Sequence, residues 1–591
     1  MSTVPPPRSM PHIEKTPFDA RAIRALSSRD GKLRNWPVVY TISSDKDIYV
    51  GESINAVSRM LQHLDTGKAK LLNEARIILD QTFNKSVCLD LESFLIRLFA
   101  GDGQFQVLNR NDGVTDADYF QRDYYRDAFE EIFNELRADG IFEKSISEIE
   151  NTDLFKLSPF KALNVDQEIV INDILEGLFD DLAISRQSTA VVEGGPGTGK
   201  TIVAIYLLKL LSDIRNQTDQ ENTEAESLFA EYFLDGYPTL LAGTKVGLVV
   251  PQQSLRKSIQ KVFRRTPGLD ASMVVTPFDV AKSSVDYDFL VIDEAHRLGQ
   301  YAAQSSGPMN LQFRTASRSV VRDGEDWKSL TQIDWLIRRS KHQVFLVDEG
   351  QGVRPNDVPA SALKSLRSAT ADGRTYKLQS QMRVAAGDDY LGFIRDVLSS
   401  RPPQSLPIFE NYDLRFFDDI EAMDAEIRKR DEEHSLARMV AGYAWPWNSK
   451  PKRGSKPDPS IADIKIGGYE RRWNGTDTDW INSEGSVNEV GSIHTVQGYD
   501  LNYAGVIIGN DLYYNPSTLD IEFDRSCYFD KKGKANNNLL GIEYRDSDIL
   551  AMVKNIYSVL LTRGMRGTYV YVCDSALREH LRPFFPATLR E

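Results

Sequence analysis

The sequence predicts an α/β chain built mainly on parallel sheet, with a small α+β domain at its front. Three observations predict it. TAVVEG, KVGLVVP, DFLVIDE, QVFLVDE, AGVIIGND and GTYVYVCD are short apolar runs rich in Val and Ile, spaced by helical patterns. Several of them end in Asp, Glu, Pro or Gly, and ligands of parallel sheets sit at the carboxyl ends of strands. From Val38 to about Asn111, in contrast, the pattern is one of short strands with one or two helices.

At 591 residues the chain exceeds one ordinary core, so two to four domains are expected. Residues 1–30, Pro-rich at first, read as a flexible lead, and 31–113 as the front domain. The acidic, amphipathic run YFQRDYYRDAFEEIFNELRADG makes 114–154 a helical connector. Residues 155–365 and 366–591 read as two α/β domains. A surface insertion is expected around 400–480, where RPPQSLP, WPWNSKPKRGSKPDPS and RRWNGTDTDW are rich in Pro, Gly and Trp. The basic tract from Lys450 to Pro457 reads as a solvated loop or a nucleic-acid contact.

Acidic groups exceed basic ones by 14, which argues against a non-specific coat for nucleic acid but allows a local basic track. Cys88, Cys527 and Cys573 are too far apart for a disulfide framework or a zinc site. Any metal is therefore expected to be a hard ion on oxygen ligands, and the compartment to be the cytoplasm. MSTVPPPRSMPH has no signal-peptide pattern, and no apolar run is long enough for a membrane span.

The strongest chemical signal is GGPGTGKT, which places Gly194, Gly195, Pro196, Gly197, Thr198, Gly199, Lys200 and Thr201 between the strand TAVVE and the helical TIVAIYLLKLL. Glycines let backbone N–H groups wrap phosphate, Lys200 reaches the outer phosphates, and Thr201 offers a hydroxyl to magnesium. In FLVIDEAH an apolar strand delivers two carboxylates at its end. Asp293 is assigned to the metal shell and Glu294 to activation of the attacking water. ATP and Mg2+ are the implied ligands. His296 and His494 read as packing or hydrogen-bonding histidines.

The ordered motifs from about 155 to 585 resemble a superfamily 1 helicase, most closely the Schlafen-like group. The resemblance implies two RecA-like domains closing on ATP. By it Gln167 reads adenine, Asp348 and Gln351 sense the γ-phosphate, and Arg383 clamps phosphate. Thr495, Gln497 and Gly498 in GSIHTVQGYD couple nucleic acid to nucleotide, and Arg563 is the arginine finger, with Arg566 close by. Asp500 departs from the family, since many helicases carry Glu there.

In the front domain VVYTISSDKDIYVGES sets Tyr40 and Tyr49 on two short strands. A following helix, starting at Ser53, buries Val57, Met60, Leu61 and Leu64, while Arg59 and His63 share another face. Glu92 lies early in a second amphipathic helix, and Asn109 follows FQVL. Tyrosines, an arginine, a histidine and one carboxylate suit metal-assisted phosphodiester hydrolysis, with Glu92 on Mg2+ and Arg59 on the developing charge. The region 36–112 resembles the GIY-YIG nucleases. Val39-Tyr40-Thr41 and Tyr49-Val50-Gly51 stand for the two tripeptides, and Arg59, His63, Glu92 and Asn109 fall at the matching positions. The first tripeptide keeps only its tyrosine.

Together the resemblances imply an ATP-dependent nuclease-helicase or translocase acting on DNA, with restriction or defence as its setting. The alternatives are an RNA-directed ATPase and nuclease, or an ATP-switched nucleic-acid sensor that does not cut. A protein partner or a homo-oligomer is a further reading; a membrane is not expected.

Overall fold

A computed structural model of the chain describes residues 11–586, apart from residues 30, 66–71, 110–118, 162, 217–228, 235, 304–306, 349, 351, 353, 371–372, 381–383, 385–387, 404–406, 410, 451–459, 477–479 and 497–498. It divides into two compact units. The first holds residues up to Glu168 with Ile205–Ala242 and Ser258–Met273; the second holds Ile169–Ala204, Gly243–Lys257 and Val274–Glu591.

The first unit is built on a mixed five-stranded sheet of β1 (His12–Pro17), β2 (Val38–Ser43), β3 (Asp47–Ser53), β4 (Glu74–Leu79) and β5 (Gln106–Val107), in the order β1-β4-β2-β3-β5. Only the β3–β5 pair is parallel. Side-chain alternation splits the strands between two cores. Val39, Ile48, Val50 and Ile78 face helix Lys85–Asp102, while Val38, Tyr40, Ile42 and Ile77 pack with helices Ala20–Arg29 and Ala56–Asp65.

Two readings need correction here. The lead is ordered from His12 onward, because β1 pairs with β4 along its length and Phe18, Ile23 and Leu26 are buried. Each such burial contributes about 1.5–3 kcal/mol, and the apolar spacing that signals it follows the Pro-rich start. The connector, in turn, is part of this unit's core. Helix Arg122–Ala138 buries Phe129, Ile132, Phe133 and Leu136 in the cluster that holds Leu91 and Leu95.

The second unit contains two parallel sheets. The strands β6 (Ser188–Gly194), β7 (Val246–Val249), β8 (Val274–Val275), β9 (Tyr287–Ile292), β10 (Ser340–Val347) and β11 (Thr375–Leu378) form an all-parallel sheet in the order β11-β6-β10-β9-β7-β8. Val191, Leu290, Ile292, Phe345 and Val347 share its core with Ile333, Leu336, Leu363 and Leu366 from flanking helices.

The other sheet uses β12 (Asp413–Phe416), β13 (Ala437–Ala441), β14 (Ile464–Ile466), β15 (Tyr469–Trp473), β16 (Glu489–Ser492) and β17 (Leu501–Ile508). After the hairpin β18 (Leu512–Asn515) and β19 (Asp520–Phe523), it is completed by β20 (Gly564–Val572). Its order is β12-β20-β17-β13-β16-β15-β14, parallel except at the β14 edge. Period-two alternation covers both faces. Val440, Val506, Ile508 and Val570 pack with Ile549, Val553 and Leu560 of helix Asp546–Leu561. Met439, Ile507 and Tyr569 pack with Met423 and Ile427 of helix Ile420–His434.

Residues 400–480 are therefore not an insertion throughout. They supply β12, β13, β14 and β15, and Trp473 of the segment RRWNG is buried in the core. The strands are short and interrupted by Pro, Gly and Trp, so no long apolar run announces them. Among the described residues no helix is long and apolar enough to cross a membrane.

Candidate nucleotide site and candidate nuclease site

Parallel register assembles the nucleotide site. Glu193 of β6 pairs with Val347 of β10, Gly194 with Leu378 of β11, and Ile292 of β9 with Phe345 of β10. The residues just beyond those strand ends, including Asp293 and Asp348, thus emerge beside the phosphate-binding loop on one edge of the sheet.

Gly197 and Gly199 adopt φ of 83° and 80°, a left-handed conformation that costs glycine nothing. A side chain at Gly194 would collide with the hydroxyl of Thr198, which donates to the Gly195 carbonyl at 3.0 Å. Pro196 lies between these residues and is half-buried. Lys200 opens helix Lys200–Arg215, and its Nζ donates to the Gly194 and Gly195 carbonyls at 2.7 and 2.8 Å. The same ammonium lies 3.3 Å from Asp348 Oδ2. Thr201 Oγ1 donates to Asp293 Oδ2 at 2.7 Å. That hydroxyl and that carboxylate are hard oxygen donors of the kind Mg2+ selects, so the residues present fit the ion.

The two strand-end carboxylates have diverging electrostatics. Burial and the neighbouring Glu294 push the Asp293 carboxyl up to about 6, against the pull of Thr201. Burial also acts upward on Glu294, but His296, Arg297 and Lys200 outweigh it and hold that carboxyl well below the usual range. Glu294 Oε2 is 3.3 Å from His296 Nε2 and 3.5 Å from Arg297 Nε. Glu294 itself sits at φ 51°, in the left-handed region, where a non-glycine residue stores about 1–3 kcal/mol.

Other sequence-predicted residues fall elsewhere in the fold. Gln167 is buried at the start of helix Val165–Ala183, where its Oε1 accepts from the Asn164 N–H and its own N–H donates back to Asn164 Oδ1. The display is that of a helix cap. Thr495 is buried after β16, donating to Asn474 Oδ1 at 2.9 Å. Arg563 is buried just before β20, and its Nη1 donates to the Tyr499 carbonyl at 3.2 Å. His494 accepts from Arg354 and lies 3.5 Å from Asp530. Gln351, Arg383, Gln497, Gly498 and the basic tract from Pro451 to Pro457 lie outside the described residues. Sequence reasoning set aside His296 and missed Arg297, although both directly follow the DEA triplet.

In the first unit the antiparallel register sets Tyr40 opposite Gly51. The phenol passes so close over that residue that a Cβ there would lie 2.5 Å from Tyr40 Oη. Glycine is required at this turn of the motif by contact, not by φ. Helix Ala56–Asp65 brings His63 Nε2 to 2.9 Å from Tyr40 Oη and the His63 ring to 4.8 Å from the Tyr49 ring. Burial, Tyr49 and Glu92 raise the Tyr40 hydroxyl's pKa, and Arg59 lowers it. Five of the six predicted side chains therefore act on one phenol.

Asn109 differs from the rest. Its Oδ1 accepts from the Val50 N–H at 3.1 Å and its Nδ2 donates to the Val50 carbonyl at 2.7 Å, so it clamps the second tripeptide. Two residues escaped the sequence reading. Glu52, next to Gly51, accepts from Lys85 Nζ at 2.7 Å, and its other oxygen is buried without a hydrogen-bond partner among the described residues. Among those residues no group of three or more His, Cys, Asp or Glu is placed to hold a metal.

An all-parallel sheet with a phosphate loop, a strand-end Asp-Glu pair and a second parallel sheet carrying Thr495 and Arg563 defines a helicase-type NTP hydrolase. Residues 187–574 match the family model described as Schlafen group 3, DNA/RNA helicase domain, and the chain belongs to that family. Uncharacterized protein YPL245W of Saccharomyces cerevisiae is 25% identical over 417 residues, covering 66% of this chain and 83% of its own. Pif1 helicase from Bacteroides, solved in complex with ADP-AlF3 and ssDNA, matches 69% of this chain and 93% of its own at 10% identity and a TM-score of 0.24.

Proposed function

We propose that the chain couples an ATP-driven motor on DNA to a nuclease in its front domain. Family membership supports the motor half. Lys200 neutralises phosphate charge, Thr201 and Asp293 are the groups that would hold Mg2+, and Glu294 orients and deprotonates the attacking water. Arg563 supplies positive charge to the transition state when nucleotide is bound. The magnesium ion, when bound, polarises the transferred phosphoryl group.

The observation that carries the nuclease half is the 2.9 Å contact between Tyr40 Oη and His63 Nε2. A raised pKa keeps the phenol protonated at neutral pH, so it can take a proton from water only if its own proton has an acceptor. His63 is that acceptor. Arg59 stabilises charge on the phosphorane, Glu92 would be the single protein carboxylate on a divalent cation, and Asn109 holds the Tyr49-Val50-Gly51 strand in place. Restriction of foreign DNA in the cytoplasm is the setting in which such a pair would serve.

The test is cleavage of labelled circular duplex DNA by the purified chain with Mg2+, with and without ATP, alongside Glu92→Ala and Lys200→Ala. Wild-type cutting, its loss in Glu92→Ala with ATP turnover retained, and loss of turnover in Lys200→Ala are expected. Cutting by Glu92→Ala at the wild-type rate would overturn the nuclease assignment. An RNA arm run in parallel decides which polymer stimulates hydrolysis.

A further inference from the structure

Between the nucleotide loop and the two strand-end carboxylates lies a closed circuit of side chains that the ATPase assignment does not use. Lys200 Nζ faces Asp348 Oδ2 at 3.3 Å. The Asp348 backbone N–H donates to His296 Nδ1 at 3.3 Å, and His296 Nε2 stands 3.3 Å from Glu294 Oε2. Asp348 Oδ1 accepts from the Gly350 N–H at 3.1 Å, tying the carboxylate to the segment that follows β10. The His296 side chain is 1% exposed, and both His296 Nε2 and Glu294 Oε2 are buried with no other hydrogen bond among the described residues.

The direction of these contacts fixes the imidazole. A backbone N–H can only donate, so Nδ1 is the unprotonated nitrogen, and a neutral ring carries its proton on Nε2, toward Glu294. Glu294 leaves its strand in the left-handed conformation, so backbone geometry has already turned it away from an extended path. A buried carboxylate on such a turn needs a partner to select one rotamer, and His296 stands where that partner is required.

We propose that His296 is a positioning residue for ATP hydrolysis, relaying the seat of Asp348 to the Glu294 carboxylate. It touches neither the phosphate loop nor Thr201 in this circuit; it acts through Glu294. When the segment after β10 is seated with Asp348 on Lys200, the Asp348 N–H holds the ring and the ring aligns Glu294 for water. When that segment shifts, the ring loses its anchor and the carboxylate its alignment. Hydrolysis is thereby conditional on the segment after β10. This inference rests on the ATPase reading and adds to it a residue and a condition.

The experiment uses the full chain and measures kcat, KM for Mg-ATP and affinity for a fluorescent ADP analogue. His296→Leu is expected to lower kcat roughly 10–100-fold, the usual cost of removing a supporting partner, while KM and ADP affinity hold. His296→Gln, whose terminal amide N–H reaches toward the position of Nε2, is expected to recover most of kcat. In a Glu294→Gln background, His296→Leu should cost nothing further, since the two act as one unit. Unchanged kcat in His296→Leu, a parallel loss of nucleotide affinity that Gln does not rescue, or additive losses in the double variant would each overturn the proposal. Turnover that is independent of Lys200 removes the ATPase reading itself, an outcome separate from any of these.

Discussion

The nucleotide site and the front site are assembled in opposite ways. In the first, chemistry sits on consecutive residues at strand ends: the loop after β6, the Asp293-Glu294 pair after β9, and Asp348 after β10. Parallel register then does the gathering, because ends of neighbouring parallel strands lie side by side whatever the loops do. In the front domain the groups come from the middles of β2 and β3 and from the faces of two helices, and they converge on the single phenol of Tyr40. Antiparallel pairing supplies only the Tyr40–Gly51 register; helix packing must supply the rest. A strand-end site tolerates drift in the helices around it, whereas a site built across elements depends on every one of them.

The largest effect should come from the arginine that the nucleotide site borrows from the second parallel sheet. Arg563→Ala is expected to lower ATP turnover by about 10³-fold or more while leaving nucleotide affinity nearly unchanged, as a group acting only in the transition state does. Turnover and affinity measured on the same preparation check it. Equal losses in both would mean that Arg563, with its hydrogen bond to Tyr499, serves the fold alone.

A smaller and more local effect tests the front site's dependence on close approach. Gly51→Ala leaves φ unstrained but places a methyl group on Tyr40 Oη, at 2.5 Å before any shift. The phenol must move off His63, and a displacement of about an ångström at a reacting group costs roughly 10²-fold. DNA cutting should fall by that order with ATP turnover intact. Cutting at the wild-type rate would mean that the Tyr40–His63 contact is not part of the reaction.

How much of this was legible in the sequence follows the same division. The strand-loop-helix run through Lys200 and the apolar strand before Asp293 are contiguous, and each names its own place on the sheet. Both parallel sheets were legible as a class, yet β12 to β15 were not, because strands of three to five residues broken by Pro, Gly and Trp carry no periodicity to read. His296 escaped for another reason: its partners are a side chain two residues away and a backbone N–H from β10, and no sequence pattern records a backbone donor. Glu52 and Lys85 pair across 33 positions of sequence, which only the fold brings together. Gln167 shows the converse, since a motif position was legible while its capping role came only from the geometry at Asn164.

The smallest expected effect concerns a third buried carboxylate, which separates burial from function. Asp511, just after β17, is as buried as Asp293, but its partners are the Tyr557 hydroxyl at 2.6 Å and backbone N–H groups rather than a cation. Burial raises its carboxyl from 3.8 to about 7, against the pull of Tyr557 and the N–H groups of Asp511 and Leu512. A carboxyl raised in the folded state contributes stability that is fully present below its unfolded pKa and is lost as pH rises through the folded value. The wild-type chain should therefore lose stability between about pH 4 and 7 in a way that Asp511→Asn, which keeps an acceptor for Tyr557 but cannot ionise, does not. Thermal midpoints of the two chains across that range decide it, since every other titrating group cancels in their difference. Converging midpoints at low pH and a growing advantage for Asn at high pH are expected; parallel curves would mean that Asp511 stays ionised in the fold. Burial alone would then not set the charge state of a strand-end carboxylate here, and the upward shift at Asp293 would have to be credited to Glu294 beside it.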